Sequence, residues 1–228
     1  MATQTLPSSQ SIFRQATRLQ TGVLSETEKR LLVWMAKRLP AWVKPDHLTA
    51  LGFVSQLLTA VSYAVARWSH FGLLGAIGFL ILNWLGDSMD GTLARVREKQ
   101  RPRYGFYVDH MLDSIGAVVL LAGLALSGYM SPEIAVSLLT LFLLLSIQSY
   151  LATYTLGEFR MSFWSFGPTE LRLLLIVGTL ALFRWPIVLH GYRLFDVGGA
   201  IGITGMAAML MWFTVRNMLR LYCEERIP

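Results

Sequence analysis

Cysteine and charge are both scarce in this 228-residue chain. Its single cysteine, Cys223, excludes a disulfide framework and a Cys-based zinc site within one chain. Only 15% of the residues are charged, against 54% hydrophobic, a balance that fits a membrane-embedded chain rather than a soluble core. Acids are missing from the first 20 residues, yet that stretch has no apolar h-region and no small-residue cleavage site. Residues 1–24 therefore read as a loose cytoplasmic tail. The net charge of +6 raises the question of nucleic acid, but the basic residues follow membrane topology instead of forming one binding stripe. Nucleic acid is excluded as a partner on that ground.

Six long apolar stretches are present, at about residues 48–67, 71–94, 106–128, 132–156, 170–190 and 196–215. Each is near the roughly 20 residues that a helix needs to cross the hydrocarbon core. The expected fold is all-α and polytopic, with a transmembrane domain over 41–222 and a short tail at 223–228. Ahead of it, Ser25-Glu26-Thr27-Glu28 has capping-box spacing. Leu31, Leu32, Met35, Ala36 and Leu39 then recur at helical intervals until Pro40, which predicts an amphipathic interfacial helix over 25–40.

Orientation follows from Lys and Arg, because basic flanks stay on the cytoplasmic side. Of the 20 such residues, all but Arg67, Arg184 and Arg193 fall before the first stretch, between the second and third, between the fourth and fifth or at the very start of the fifth (Arg160, Arg172), or after the sixth. Both termini are thus expected in the cytosol.

Four of the 14 acids sit at the inner ends of the second and third stretches. Asp87 and Asp90 are three residues apart and Asp109 and Asp113 four apart, so each pair shares one face of its helix. A short loop joins the two helices as antiparallel neighbours, which lets both pairs converge at one depth near the cytoplasmic interface. Four carboxylates in a partly desolvated pocket repel one another and require counter-charge. Arg95 can neutralise one; two divalent ions would neutralise all four and accept phosphate oxygens as well. An all-oxygen ligand set favours Mg²⁺ or Mn²⁺ over zinc. Gly91, Ala94 and Gly105 add small residues where a diphosphate can approach the backbone, although helix packing alone also favours such residues.

The run Asp87-x2-Asp90-Gly91-x2-Ala94-Arg95, followed by Gly105-x3-Asp109-x3-Asp113, resembles the signature of the CDP-alcohol phosphotransferase family of integral-membrane, phospholipid-synthesising enzymes. Nine residues separate Arg95 from Gly105 where the family usually has about eight, an insertion expected to alter the loop and not the metal site. Pro45-Asp46-His47-Leu48-Thr49 is similar to the Pro-Asn-x-x-Thr entry of many members, with Asp46 replacing the asparagine. The resemblance implies six spans, an N-terminal interfacial helix and a homodimer in a membrane, which the compact chain suggests is a bacterial inner membrane.

The same resemblance implies a reaction: transfer of a phosphate-linked alcohol from a CDP-alcohol donor to a hydroxyl acceptor, with release of CMP. Asp87, Asp90 and Asp109 would hold the metals together with Asp113, which would also serve as general base. Gly91, Ala94, Arg95, Gly105 and Thr49 would face the CDP moiety. Glu170, Arg172 and Arg160, near the start of the fifth stretch, would line the acceptor site, with the two arginines suited to a phosphorylated acceptor and Glu170 to a cationic amino alcohol. His110 is expected to make a local hydrogen bond on another helix face. An ion- or proton-coupled carrier is the main rival, because intramembrane acids often mark ion pathways; ion flux without nucleotide would decide for it. A Mg-dependent intramembrane prenyltransferase is a second rival, opposed by the close spacing of the acidic pairs and the small number of spans.

Overall fold

The computed structural model describes residues 17–19, 25–160, 167–188 and 191–226. Among them run seven helices: α1 (Ser25–Ala36), α2 (Pro45–Ala66), α3 (Phe71–Val96), α4 (Pro102–Ser127), α5 (Pro132–Leu156), α6 (Pro168–Leu182) and α7 (Leu194–Glu224). Four of them, α2, α4, α5 and α6, begin with proline in the first turn, where the missing N–H is no loss and the fixed φ suits the helix. Gly128 ends α4 in the left-handed region, at φ 80°, leaving only a tight turn before Pro132.

Five of the helices, α2 to α5 and α7, are long and apolar enough to cross a membrane, so the protein is an all-α polytopic membrane protein. The fifth expected stretch differs. Instead of running over 170–190, α6 has 15 residues and stops at Leu182, short of the length of a full span. Pro186 lacks an N–H and disfavours helix at the residue before it; the chain turns there into an antiparallel pair, β3 (Ile187–Val188) with β4 (Tyr192–Arg193). In compensation, α7 extends well past the predicted 196–215, to Glu224. Its 31 residues reach about 46 Å at 1.5 Å per residue, more than the hydrocarbon core alone. Thr17–Leu19, inside the expected tail, forms a strand β1 that pairs in parallel with β2 (Glu158–Arg160).

Two hydrophobic clusters divide the bundle along its length. At the end remote from the aspartates, Tyr63 and Ala66 of α2, Leu73 and Ala76 of α3, Leu124 of α4, Ala135 of α5, Leu182 of α6 and Phe195 of α7 are all buried together. The Tyr63 hydroxyl, fully buried, lies 2.6 Å from the Thr179 Oγ1, which satisfies both groups where no water reaches. At the other end, α1 lays Leu32 and Ala36 against Val43, Leu48, Met89 and Leu93. Helix α1 ends at Ala36, four residues before the predicted stop. The segment after it is held by Arg97, whose guanidinium donates to the carbonyls of Leu39 at 3.0 Å and Pro40 at 2.9 Å and also to that of Val43. Asp46, the departure from the family's asparagine, pairs with Arg101. The loop between Arg95 and Gly105 is therefore tied to the α1–α2 connection through Arg97 and Arg101.

Candidate active site

Helices α2 and α3 cross where two glycines meet. A Cβ added at Gly86 would stand 2.4 Å from the Gly52 nitrogen and 2.7 Å from the Leu48 carbonyl oxygen, so only hydrogen atoms fit between the backbones. Asn83 fastens the same crossing by donating its Nδ2 to the Gly52 carbonyl at 2.9 Å. Asp87 is the next residue along α3, and its position is thus fixed by backbone contact.

Around that crossing Asp87, Asp90 and Asp109 all lie within electrostatic reach of Asp113, and Asp90 within reach of Asp87. Asp113 is exposed and the other three are half-buried. Thr49 of α2 donates from Oγ1 to Asp90 Oδ2 at 2.6 Å, and the Gly91 amide bonds the other Asp90 oxygen. Thr49, expected beside the CDP moiety, thus contacts one of the acids directly. Arg95 is exposed, donates to Thr92 at 3.0 Å and places its charge near Asp90.

The small residues border open space. Among the described residues, nothing lies within 4 Å of a Cβ added at Gly105, and at Gly91 only the Arg95 Nη1 comes near, at 3.5 Å. Ala94 is half-buried on the same helix. The packing explanation holds for Gly52 and Gly86; at Gly91 and Gly105 no neighbouring helix among the described residues occupies the room they leave.

Sequence spacing does not show where Arg172, expected in the acceptor site, directs its guanidinium: Nη2 donates to Asp87 Oδ2 and Nε to Asn83 Oδ1, each at 2.7 Å, with the side chain 14% exposed. Its charge also reaches Asp113. Glu170 turns the other way and accepts the Gly167 N–H at 2.9 Å, capping α6. Arg160 lies on β2, and its side chain is outside the described residues. His110 behaves as expected: Nδ1 is 2.6 Å from the Phe106 carbonyl and the ring stacks on Phe106, with centroids 4.1 Å apart.

The donor chemistry suits a hard divalent cation. Carboxylates and a threonine hydroxyl supply only oxygen, and Arg95 and Arg172 leave four carboxylates with an excess of negative charge. As the side chains stand, no three His, Cys, Asp or Glu among the described residues are grouped closely enough to hold a metal. Asp87 and Asp90 direct oxygens at Arg172 and Thr49 instead. A carboxylate offers about four lone-pair positions, so these bonds leave acceptor capacity on both.

Comparison with known proteins decides the family. The model for CDP-alcohol phosphatidyltransferase matches residues 42–220, most of the chain. The protein belongs to the CDP-alcohol phosphatidyltransferase family. It is 31% identical over 99 residues to cholinephosphotransferase 1 of Danio rerio, covering 40% of this chain and 25% of that protein. Cholinephosphotransferase 1 of Gallus gallus is 32% identical over 99 residues, covering 40% and 28%. Archaetidylinositol phosphate synthase of Pyrococcus horikoshii is 29% identical over 113 residues, covering 50% and 53%. The chain thus spans about a quarter to about half the length of these relatives. With family membership, the five apolar helices make this CDP-alcohol phosphatidyltransferase family member an integral membrane protein.

Proposed function

We propose that the protein transfers a phosphate-linked alcohol from a CDP-alcohol to a hydroxyl acceptor and releases CMP, as a step of phospholipid synthesis. The placement of Asp87, Asp90 and Asp109 within electrostatic reach of Asp113, beside Gly91 and Gly105, supports this reading. The CDP diphosphate lies over Gly91, Ala94 and Gly105, with Arg95 balancing its charge. Asp113, the most accessible of the four acids, accepts the proton of the acceptor hydroxyl; that oxygen attacks the alcohol-linked phosphorus, and the bond to the CMP oxygen breaks. Asp87, Asp90, Asp109 and Asp113 are the residues that would hold Mg²⁺ or Mn²⁺, two ions in our reading. Bound there, the ions supply charge neutralisation for the diphosphate and for departing CMP.

On the acceptor side, Arg172 points into the cluster while Glu170 caps its own helix. That contrast favours an acceptor bearing its own phosphate over a cationic amino alcohol, with Arg172 as the phosphate ligand and Arg160 as a second candidate. Glutamine at 172 is expected to raise the KM of a phosphorylated acceptor about tenfold or more, from the loss of a charged hydrogen bond. An unchanged KM would remove Arg172 from the acceptor site.

We place the enzyme in a bacterial inner membrane as a homodimer, with α6 as a sixth, short membrane segment, α1 in the interface, and both termini and the site at the cytoplasmic face. The function is tested with purified protein, Mg²⁺ or Mn²⁺ and a panel of CDP-alcohol donors crossed with phosphorylated and unphosphorylated acceptors, scored by CMP release. Metal-dependent CMP release that requires both substrates is the expected result. Failure of every pair would sink the proposed reaction.

A further inference from the structure

We infer that Glu28 is a positioning residue: it holds the first turn of α6 against α3 and so aims Arg172 at Asp87. A single carboxylate oxygen, Glu28 Oε1, accepts from Trp84 Nε1 at 2.8 Å, from Thr169 Oγ1 at 3.0 Å and from Ser88 Oγ at 3.4 Å. Three helices thereby meet at one atom. Thr169 lies one turn before Arg172 on α6, and Trp84 and Ser88 directly follow Asn83 and Asp87, the two residues that Arg172 bonds.

The seam between α3 and α6 is therefore closed twice, by Arg172 from within and by Glu28 from α1. Among the described residues, little else holds that end of α6. Its buried residues are Thr179 and Leu182, both at the far end, and the hydrophobic cluster that joins α1, α2 and α3 near the acids contains no α6 residue. A helix end held by polar bonds and not by apolar burial moves when one of those bonds is removed. Helix α1 is in a different position. Leu32 and Ala36 are buried against α3 and α2, and Arg97 grips the carbonyls that follow α1. Loss of the Glu28 carboxylate consequently frees α6 while α1 stays docked. A role limited to anchoring α1 predicts the reverse.

The kinetic consequence rests on the proposed role of Arg172 toward the acceptor, so the test has a structural arm that does not. Full-length protein in lipid nanodiscs is compared as wild type, Glu28→Ala, Glu28→Gln, Thr169→Val, Arg172→Gln and the Glu28→Ala/Arg172→Gln double variant. Hydrogen exchange of residues 171–175 should accelerate in Glu28→Ala and less so in Thr169→Val, with residues 31–36 unchanged. Glu28→Ala should raise the acceptor KM about tenfold, the scale of a lost hydrogen bond to a charged group, with kcat and donor KM within about twofold. Glu28→Gln keeps an accepting oxygen and should retain most of the wild-type KM. In the Arg172→Gln background Glu28→Ala should add nothing, because both act through one side chain.

Unchanged exchange in α6, or loosening confined to α1, overturns the inference. So do additive KM penalties in the double variant. If Arg172→Gln alone leaves the acceptor KM untouched, it is the role given to Arg172 that fails, and the exchange data still decide whether Glu28 holds α6.

Discussion

Asparagine at position 113 is expected to lower kcat for CMP release by about 100- to 10,000-fold, the usual contribution of a positioned general base. The substitution keeps the size and shape of the side chain and removes its capacity to take a proton. Asp113 is exposed on α4, so the change opens no cavity and the protein should insert and purify as wild type. A metal-ligand role is separable from a base role by titration. If Asp113 served chiefly to hold a cation, excess Mn²⁺ would restore the rate of Asp113→Asn. If it takes the proton, the rate stays low at saturating metal while donor KM moves little, because the interaction lost is made in the transition state. A wild-type rate in the variant, or full rescue by metal, would sink the base assignment.

Much of this site was legible because it is local. Asp87 with Asp90 and Asp109 with Asp113 are placed on common faces by helical spacing alone, and a short loop forces their helices to be neighbours. The apolar runs gave α2 to α5 to within a few residues for the same reason: each is bounded by proline, glycine or charge. The misjudged elements depend on less local terms. Pro186 lay in plain view inside an apolar stretch, and its effect on the helix outweighed the hydropathy of its surroundings. The Arg172–Asp87 bond joins residues 85 positions apart, and the Thr169–Glu28 bond residues 141 apart. No periodicity encodes such pairs. Glu28 was half visible, as the acid of a capping box, but its carboxylate is directed at two other helices, and only the tertiary arrangement shows it.

The glycine crossing leads to the second large effect. Alanine at position 86 should cost at least 1–3 kcal/mol of stability, the range for overpacking a tight interface, and should reduce activity by about 100-fold. The added methyl would meet three backbone atoms: the nitrogen of Gly52 at 2.4 Å, its Cα at 2.6 Å and the Leu48 carbonyl oxygen at 2.7 Å. No side-chain rotation relieves a clash with backbone, so α3 must move away from α2. Asp87 follows Gly86 directly, and Thr49, which bonds Asp90 from α2, would be pulled the opposite way. The variant therefore strikes the acids from both sides without changing a single polar group, and a displacement near 1 Å is enough to cost about 10²-fold in rate. Gly78 is the internal control: it lies on the same helix, and nothing among the described residues comes within 4 Å of a Cβ built there. Alanine at 78 should leave activity unchanged and, by helix propensity, add up to about 1 kcal/mol of stability. Thermal unfolding and CMP release measured on both variants separate the outcomes; a Gly86→Ala protein as stable and active as wild type would mean that α2 and α3 do not meet at this point.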